Sequence, residues 1–201
     1  MWALPVLAAI ILHEIAHGWV ANLLGDPTAK AAGRLTLNPL PHIDPIGTIG
    51  LPLLLLVTHA PFLFGYARPV PVNFNKLYRP KRDMIFVAAA GPLTNLILAV
   101  ISALVVRTLF NPEVPLAHQS FLTLMALRSV TFNVVIAVFN MLPILPLDGG
   151  RVLTGLLPMR QAVVFSRMEP FGMIIVLMLM ATNALGQVIG PVVHVMLKFL
   201  L

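Results

Sequence analysis

The sequence predicts an all-α, polytopic membrane protein with about four to six transmembrane helices. Hydrophobic residues make up 59% of its 201 residues, charged residues only 10%, and the mean hydropathy is +0.94. Soluble domains carry about 25% charged residues, so a chain this apolar requires a lipid environment. Because the spans and their short connections use the whole length, we expect a single transmembrane domain over residues 1–201.

The charge balance fits a membrane protein rather than a nucleic-acid-binding one. The net charge of +6 comes mostly from short loops, which indicates membrane orientation and contact with anionic lipid. Basic and aromatic residues do not interleave in any nucleic-acid-binding motif. There is no cysteine, so a metal could be held only by His, Asp, Glu or Asn. The first apolar run lacks the basic start of a signal peptide, and we expect it to be a retained span.

Apolar segments follow one another along the chain. We expect spans at residues 2–24, 84–109, 127–147 and 163–181, and a kinked span or an interfacial helix at 185–201. The second apolar segment, residues 46–64, is broken by glycines and prolines. It is either a kinked span or a re-entrant hairpin, and the sequence does not decide between them.

Two stretches between these segments have other patterns. Residues 34–38 alternate in polarity, which fits a short membrane-associated β-strand or a surface loop equally well. Residues 65–73 contain two X-Pro steps that favour extended backbone. Either stretch could pair with an unwound peptide.

Basic residues cluster in two loops that we expect on one side of the membrane. One cluster precedes the span at 84–109, and the other follows the span at 127–147. The clusters comprise Arg68, Lys76, Arg79, Lys81 and Arg82, and then Arg151, Arg160 and Arg167. Because those two spans are consecutive, both loops lie on the same side, which the positive-inside rule makes cytoplasmic.

The first span carries the pattern His13-Glu14-x-x-His17. Histidines four residues apart lie on one face of a helix, one turn from each other. In the H-E-x-x-H pattern the two imidazoles hold a metal, usually zinc, and the carboxylate is the general base. Burying three ionisable groups in an apolar segment is costly, which favours a metal site over two histidines satisfied by neighbouring polar groups.

A catalytic zinc site needs a third ligand, and Asp148 is the best candidate. It ends an apolar segment, and Gly149 and Gly150 let the backbone turn and approach closely. The alternative is a solvated aspartate in a loop. His42 and Asp44 could suggest a second metal, but their flanking prolines favour a role in ordering the entry to residues 46–64.

Three motifs together resemble the site-2 protease family of intramembrane zinc metallopeptidases. They are HExxH at residues 13–17, GPxxN at 91–95 and NxxPxxxLDG at 140–149. The stretches GRLTLNP at 33–39, HIDPIG at 42–47 and RPVPVN at 68–73 resemble a small prokaryotic branch without PDZ or CBS domains. The resemblance implies that His13, His17 and Asp148 bind one zinc ion and that Glu14 acts as base on zinc-activated water.

The resemblance also implies a substrate class. Members cleave a transmembrane helix of another protein after it partly unwinds, so we expect membrane-protein substrates in a prokaryotic cell membrane. Asn140 matches a family position that engages the substrate near the metal. Asn95 is a second substrate-binding candidate, although packing between helices explains a buried asparagine equally well.

Two other functions fit the same residues. One is a cation or metal transporter that uses the His, Glu and Asp side chains as its pathway; the absence of an inverted repeat counts against it. The other is a zinc-binding scaffold that does not cut, and the presence of both base and ligands argues against that. The sequence predicts no oligomeric state.

Overall fold

The computed structural model describes residues 3–60 and 64–201, and these contain helices and irregular segments but no β-strand. The helices are α1 (Ala3–Leu23), α2 (Thr28–Ala31), α3 (Leu51–Val57), α4 (Pro80–Leu109), α5 (Phe121–Asn140), α6 (Asp148–Leu156), α7 (Met159–Ser166), α8 (Glu169–Ala181) and α9 (Ala184–Leu200). The predicted all-α class is confirmed.

Helices α1, α4 and α5 are each long and apolar enough to cross a membrane. Helices α7 and α8 meet at a 63° bend and count as a fourth span if the pair crosses as one unit. Helix α9, which contains Pro191, is shorter. The described chain therefore has three or four candidate spans. A count of four agrees with the predicted range of four to six.

Two predicted spans begin earlier than hydropathy indicates. Helix α4 begins at Pro80 because the Asp83 carboxylate accepts a hydrogen bond from the Arg79 N–H at 2.8 Å. Helix α5 begins after Ser120, whose Oγ accepts from the Thr123 N–H at 3.1 Å. It ends at Asn140, so the predicted end at residue 147 is wrong. The prolines that follow favour a turn there.

Small side chains hold the central helices together. Ala99 and Ala103 of α4 are buried against α5, where Val130 and Val134 are fully enclosed. In a bilayer, small residues let helix backbones approach and gain van der Waals contact. The far face of this cluster is covered by α9.

The two ends of the second apolar segment, described at residues 44–60 and 64–66, lie against each other. The Asp44 carboxylate accepts hydrogen bonds from the N–H groups of Ile46 and Gly47 at 3.0 and 2.7 Å, which caps a π-helical turn that runs into α3. The chain then returns, and the Tyr66 N–H donates to the Gly47 carbonyl at 3.0 Å. This bond brings the two ends of the segment together, as the hairpin alternative expects and a kinked span does not; residues 61–63 lie outside the described part.

The loop alternative is observed for residues 34–38. The Asn38 N–H donates to Thr36 Oγ1 at 3.2 Å, and the Leu40 N–H donates to Asn38 Oδ1 at 3.1 Å. Such local bonds from side chains to backbone compete with strand pairing. The predicted strand is therefore absent from this stretch, and the chain turns instead.

Asp26 ties the end of α1 to the extended stretch at residues 68–73. Its buried carboxylate accepts from the N–H and hydroxyl of Thr28, and from the Asn73 N–H at 2.6 Å. Burial raises the pKa of Asp26, but these hydrogen bonds outweigh burial and lower it overall. The ionised anchor therefore stabilises the fold above the usual carboxyl range, and its contribution is lost as the pH falls through the lowered pKa.

Candidate metal centre

His13, His17 and Asp148 meet inside the helix bundle. The two histidines lie one turn apart on α1, and Asp148 is the first residue of α6. His13 Nε2 lies 3.0 Å from His17 Nε2 and 3.1 Å from Asp148 Oδ2, and His17 Nε2 lies 3.3 Å from Asp148 Oδ1. Among residues 3–60 and 64–201, this is the one group of three such side chains that could hold a metal.

The His17 ring is oriented by a carbonyl of α4. Its Nδ1 lies 2.7 Å from the Val87 carbonyl oxygen. A carbonyl can only accept a hydrogen bond, so Nδ1 carries the proton and donates it. In the neutral ring, Nε2 then presents a lone pair to the centre, which is the state that a metal-binding imidazole requires.

The His13 ring is oriented by two asparagines. Asn95 Nδ2 donates to the Ala9 carbonyl at 3.2 Å and to Asn133 Oδ1 at 2.8 Å. Because Ala9 can only accept, the Asn95 amide is fixed with Oδ1 towards His13 Nδ1, 2.5 Å away. Asn133 is fixed in the same way, since its Nδ2 donates to the Ser129 carbonyl at 2.9 Å. His13 Nδ1 therefore donates, and its Nε2 also presents a lone pair.

These partners make the centre suited to a cation. Two imidazole lone pairs and a carboxylate face one another at 3.0 to 3.3 Å, and Asp148 Oδ2 is buried without a hydrogen bond from any described residue. Electron-pair donors at that distance repel unless a cation lies between them. Ligands about 2.0–2.2 Å from a tetrahedral zinc would lie roughly 3.3–3.6 Å apart, close to the observed spacing. The residues present fit a zinc ion.

Glycines make the close approach of these elements possible. A Cβ on Gly91 would lie 2.4 Å from His17 Nε2 and 2.6 Å from His13 Nε2. A Cβ on Gly149 would lie 2.2 Å from the Met141 carbonyl oxygen, in the turn that brings Asp148 back from the end of α5. The close approach predicted for the glycines after Asp148 is thus present, and Gly91 serves the same purpose on α4.

Glu14 lies beside the centre and is not one of the three clustered side chains. Its Oε2 accepts a hydrogen bond from the Val70 N–H at 2.8 Å. Its Oε1 takes no hydrogen bond from the described part of the chain. One carboxylate oxygen is therefore anchored by the extended stretch, and the other is available to a water molecule or a substrate.

Asn95 and Asn140, the two predicted substrate-binding residues, do not belong to the cluster of His13, His17 and Asp148. Asn95 is fully buried behind His13, while Asn140 donates to the Ile136 carbonyl at 3.1 Å, one turn back in α5. Their proposed contacts with substrate stay predictions. His42 binds the Thr36 carbonyl at 3.0 Å, and it joins no group of three ligands in the described chain.

Known proteins resemble this chain over most of its length. Residues 111–182 match the model for "Peptidase family M50", a region that contains Asp148 but not the two histidines. YwhC of Bacillus subtilis, whose name describes a zinc metalloprotease, is 37% identical over 193 residues, covering 95% of this chain and 84% of YwhC. The chain belongs to peptidase family M50, the site-2 protease family.

A second relative in the M50 family agrees with this assignment. Rip2 of Mycolicibacterium smegmatis, also a zinc metalloprotease by name, is 32% identical over 181 residues, covering 90% of this chain and 66% of Rip2. No solved structure matches the chain significantly. Membership of family M50 and the names of these two relatives support a membrane-embedded zinc metallopeptidase.

Sequence reasoning missed two contributors to this M50 site. Asn133 is one of several polar residues in α5, and its link to His13 passes through Asn95. The sequence could have indicated this contact only through a helical wheel of α5, compared with the position of Asn95 on α4. The contact of Val70 with Glu14 is made by a backbone N–H, for which the sequence carries no signal.

Removing the asparagines behind His13 is expected to weaken zinc binding. Asn95→Ala removes the acceptor that fixes the His13 tautomer, and we expect a loss of about 10- to 100-fold in zinc affinity. Asn133→Ala should cost less, because it orients only Asn95. Chelator competition measures both affinities, with Asn75→Ala in an exposed loop as control. Wild-type zinc affinity in the Asn95→Ala variant would contradict the assigned tautomer.

Proposed function

We propose that this chain is a zinc-dependent endopeptidase that hydrolyses peptide bonds within or near transmembrane segments of other membrane proteins. The observation that carries the proposal is the buried cluster of His13, His17 and Asp148, with Glu14 adjacent to it on a helix long enough to cross a membrane. We expect one zinc ion per chain, because the described residues supply one such group.

The chain's own residues supply the proton transfers. When bound, zinc supplies a Lewis acid that polarises the scissile carbonyl and makes a water molecule acidic enough to react near neutral pH. Glu14 accepts the proton that the attacking water loses, and it delivers that proton to the leaving amine nitrogen as the C–N bond breaks. Val70 holds one Glu14 oxygen in place while the other faces the reaction.

A helical substrate must unwind before cleavage, and its freed backbone groups then need partners. Residues 66–73 are poor partners: the N–H groups of Arg68, Val70 and Asn73 are already used, and Pro69 and Pro71 have none. By contrast, the N–H groups at residues 35–37 bond to nothing in the described chain.

Leu35, the first of these three residues, packs against the helix that carries Glu14. The Leu35 side chain and the Val70 side chain both lie against Gly18, where a Cβ would be 2.7 and 2.8 Å from them. Gly18 is one turn after Glu14 on α1, and Val70 itself bonds to Glu14. We therefore propose residues 35–37 as the backbone to which an unwound substrate pairs.

Leu37→Pro tests this pairing, because it removes one N–H donor. We expect cleavage of a membrane substrate to fall roughly two- to tenfold, the worth of a hydrogen bond of about 0.5–1.5 kcal/mol. Leu37→Ala, which retains the N–H, is the matched control. Product formation is followed by gel electrophoresis with a reconstituted single-span substrate. Equal rates for the proline and alanine variants would rule out this backbone group.

The proposed setting is a prokaryotic cell membrane with the basic loops in the cytoplasm. Helices α4 and α5 are consecutive spans, so the basic start of α4 and the segment after α5 lie on one side. The proposed partners are transmembrane protein substrates and the bilayer. A transport role for the same cluster would instead give zinc flux into proteoliposomes, without cleavage of any added substrate.

A further inference from the structure

A cavity of about 360 Å³ lies between two loops beside α1. Its lining consists of Ala32, Arg34, Pro41, Arg68, Pro69 and Pro71. Its size falls within the range of about 300–1,000 Å³ typical of ligand pockets. The lining contains two arginines and no carboxylate, so the cavity favours an anion.

Arg34 is unusual for a charged residue because it is only 8% exposed. One of its terminal nitrogens donates to the Arg68 and Pro69 carbonyls at 2.8 and 3.4 Å, while its buried Nε has no hydrogen-bond partner among the described residues. Arginine is almost never buried without a partner. The guanidinium therefore retains donor capacity beside the cavity.

No carboxylate of the described chain pairs directly with either of these two cations. Neither Arg34 nor Arg68 forms an ion pair with a carboxylate in residues 3–60 or 64–201. Burial and the charge of Arg68 lower the pKa of the Arg34 guanidinium, and the charge of Glu14 offsets only part of that effect. An anion in the cavity would stabilise both charges at once.

The surroundings of the cavity point to the lipid interface. Leu37 and Leu40, which stand three residues after Arg34 and directly before Pro41, are each 69% exposed. Exposed leucines in a chain that spans a membrane are stable when they insert among lipid chains. Insertion of these leucines would bring the two arginines near the lipid phosphates.

We propose that the Arg34–Arg68 cavity binds a phosphate group, supplied by the headgroup of an anionic phospholipid. The planar guanidinium fork matches phosphate oxygens and binds them more strongly than it binds neutral acceptors. Because Arg34 also holds the Arg68 and Pro69 carbonyls, next to the Val70 that bonds to Glu14, a bound phosphate would fix the loop beside the proposed catalytic base.

Binding of labelled phosphatidylglycerol to the purified full chain in neutral detergent tests the site without reference to proteolysis. Arg68→Gln removes one cation but leaves the Arg68 carbonyl that Arg34 binds. Its affinity for phosphatidylglycerol should fall about 10- to 100-fold, the worth of a charge-assisted hydrogen bond of about 1.5–3 kcal/mol. Arg160→Gln, an equal charge change at an exposed position of α7, should bind within about twofold of wild type.

Competition separates the sources of the phosphate. If inorganic phosphate displaces the labelled lipid and this binding also depends on Arg68, the site recognises the phosphate alone. If inorganic phosphate does not displace the lipid and lipid binding still depends on Arg68, the site recognises the whole lipid headgroup. Equal binding of phosphatidylcholine, equal affinities of Arg68→Gln and Arg160→Gln, or displacement only by a peptide carboxylate would each overturn the proposal. Melting temperatures of the variants show whether they are folded.

Discussion

Glu14→Gln is expected to abolish substrate cleavage while the chain still binds zinc. Glutamine retains the size of glutamate and a side-chain oxygen that can accept from Val70, but it cannot take a proton from water. General-base catalysis is worth about 10²- to 10⁴-fold, so the cleavage rate should fall by that factor. Because His13, His17 and Asp148 are untouched, zinc affinity should stay within a few-fold of wild type.

The measurement compares wild type and Glu14→Gln on a panel of single-span substrates in proteoliposomes, with zinc content determined on the same samples. Glu113→Gln, which removes a carboxylate from an exposed loop, serves as control and should cleave at the wild-type rate. Full activity in Glu14→Gln would exclude the carboxylate as base. Zinc flux in wild type without cleavage of any substrate would favour the transport alternative.

Asp148→Ala is expected to remove zinc from the protein. It removes one of the three proposed ligands and leaves the two imidazoles, whose Nε2 atoms lie 3.0 Å apart, without the carboxylate that completes the set. Apparent zinc-binding energies of about 10–16 kcal/mol in zinc-finger peptides imply several kcal/mol per ligand, so zinc affinity should fall by at least about 1,000-fold. His17→Ala should lower zinc affinity by a similar factor.

Chelator competition gives the affinities, and melting temperatures with and without zinc provide an independent readout. Zinc should raise the melting temperature of wild type, because it binds the folded state, and should leave that of Asp148→Ala unchanged. His118→Ala, an exposed histidine outside the centre, controls for the loss of an imidazole. An Asp148→Ala variant that bound zinc within twofold of wild type would show that the third ligand lies elsewhere.

The clustering of His13, His17 and Asp148 could be predicted from the sequence because its signals are local. Helical spacing places His13 and His17 on one face, and a carboxylate followed by two glycines marks a sharp turn at Asp148. The structure brings these three side chains together as the pattern indicates. The family assignment also rests on motifs readable without coordinates.

The arrangement around the ligands depends on contacts between distant parts of the chain, and the sequence does not encode those locally. Asn133 reaches His13 only through Asn95, and the hairpin at residues 46–64 is decided by the return of Tyr66 to Gly47. Arg34 is buried, although the sequence predicts a surface loop or a short strand at its position. Hydropathy misplaced the ends of α5 because Ser120 caps its start and the prolines after Asn140 favour a turn at its end.

X-ray absorption spectroscopy of the zinc-loaded wild-type chain tests the central claim most directly, because it reports the ligands themselves. We expect a zinc shell with two imidazole nitrogens and oxygen ligands at about 2.0–2.2 Å. No thiolate sulfur should appear, since the chain has no cysteine. A shell with one imidazole, one with three or more, or no stoichiometric zinc in a folded sample would contradict a centre formed by His13, His17 and Asp148.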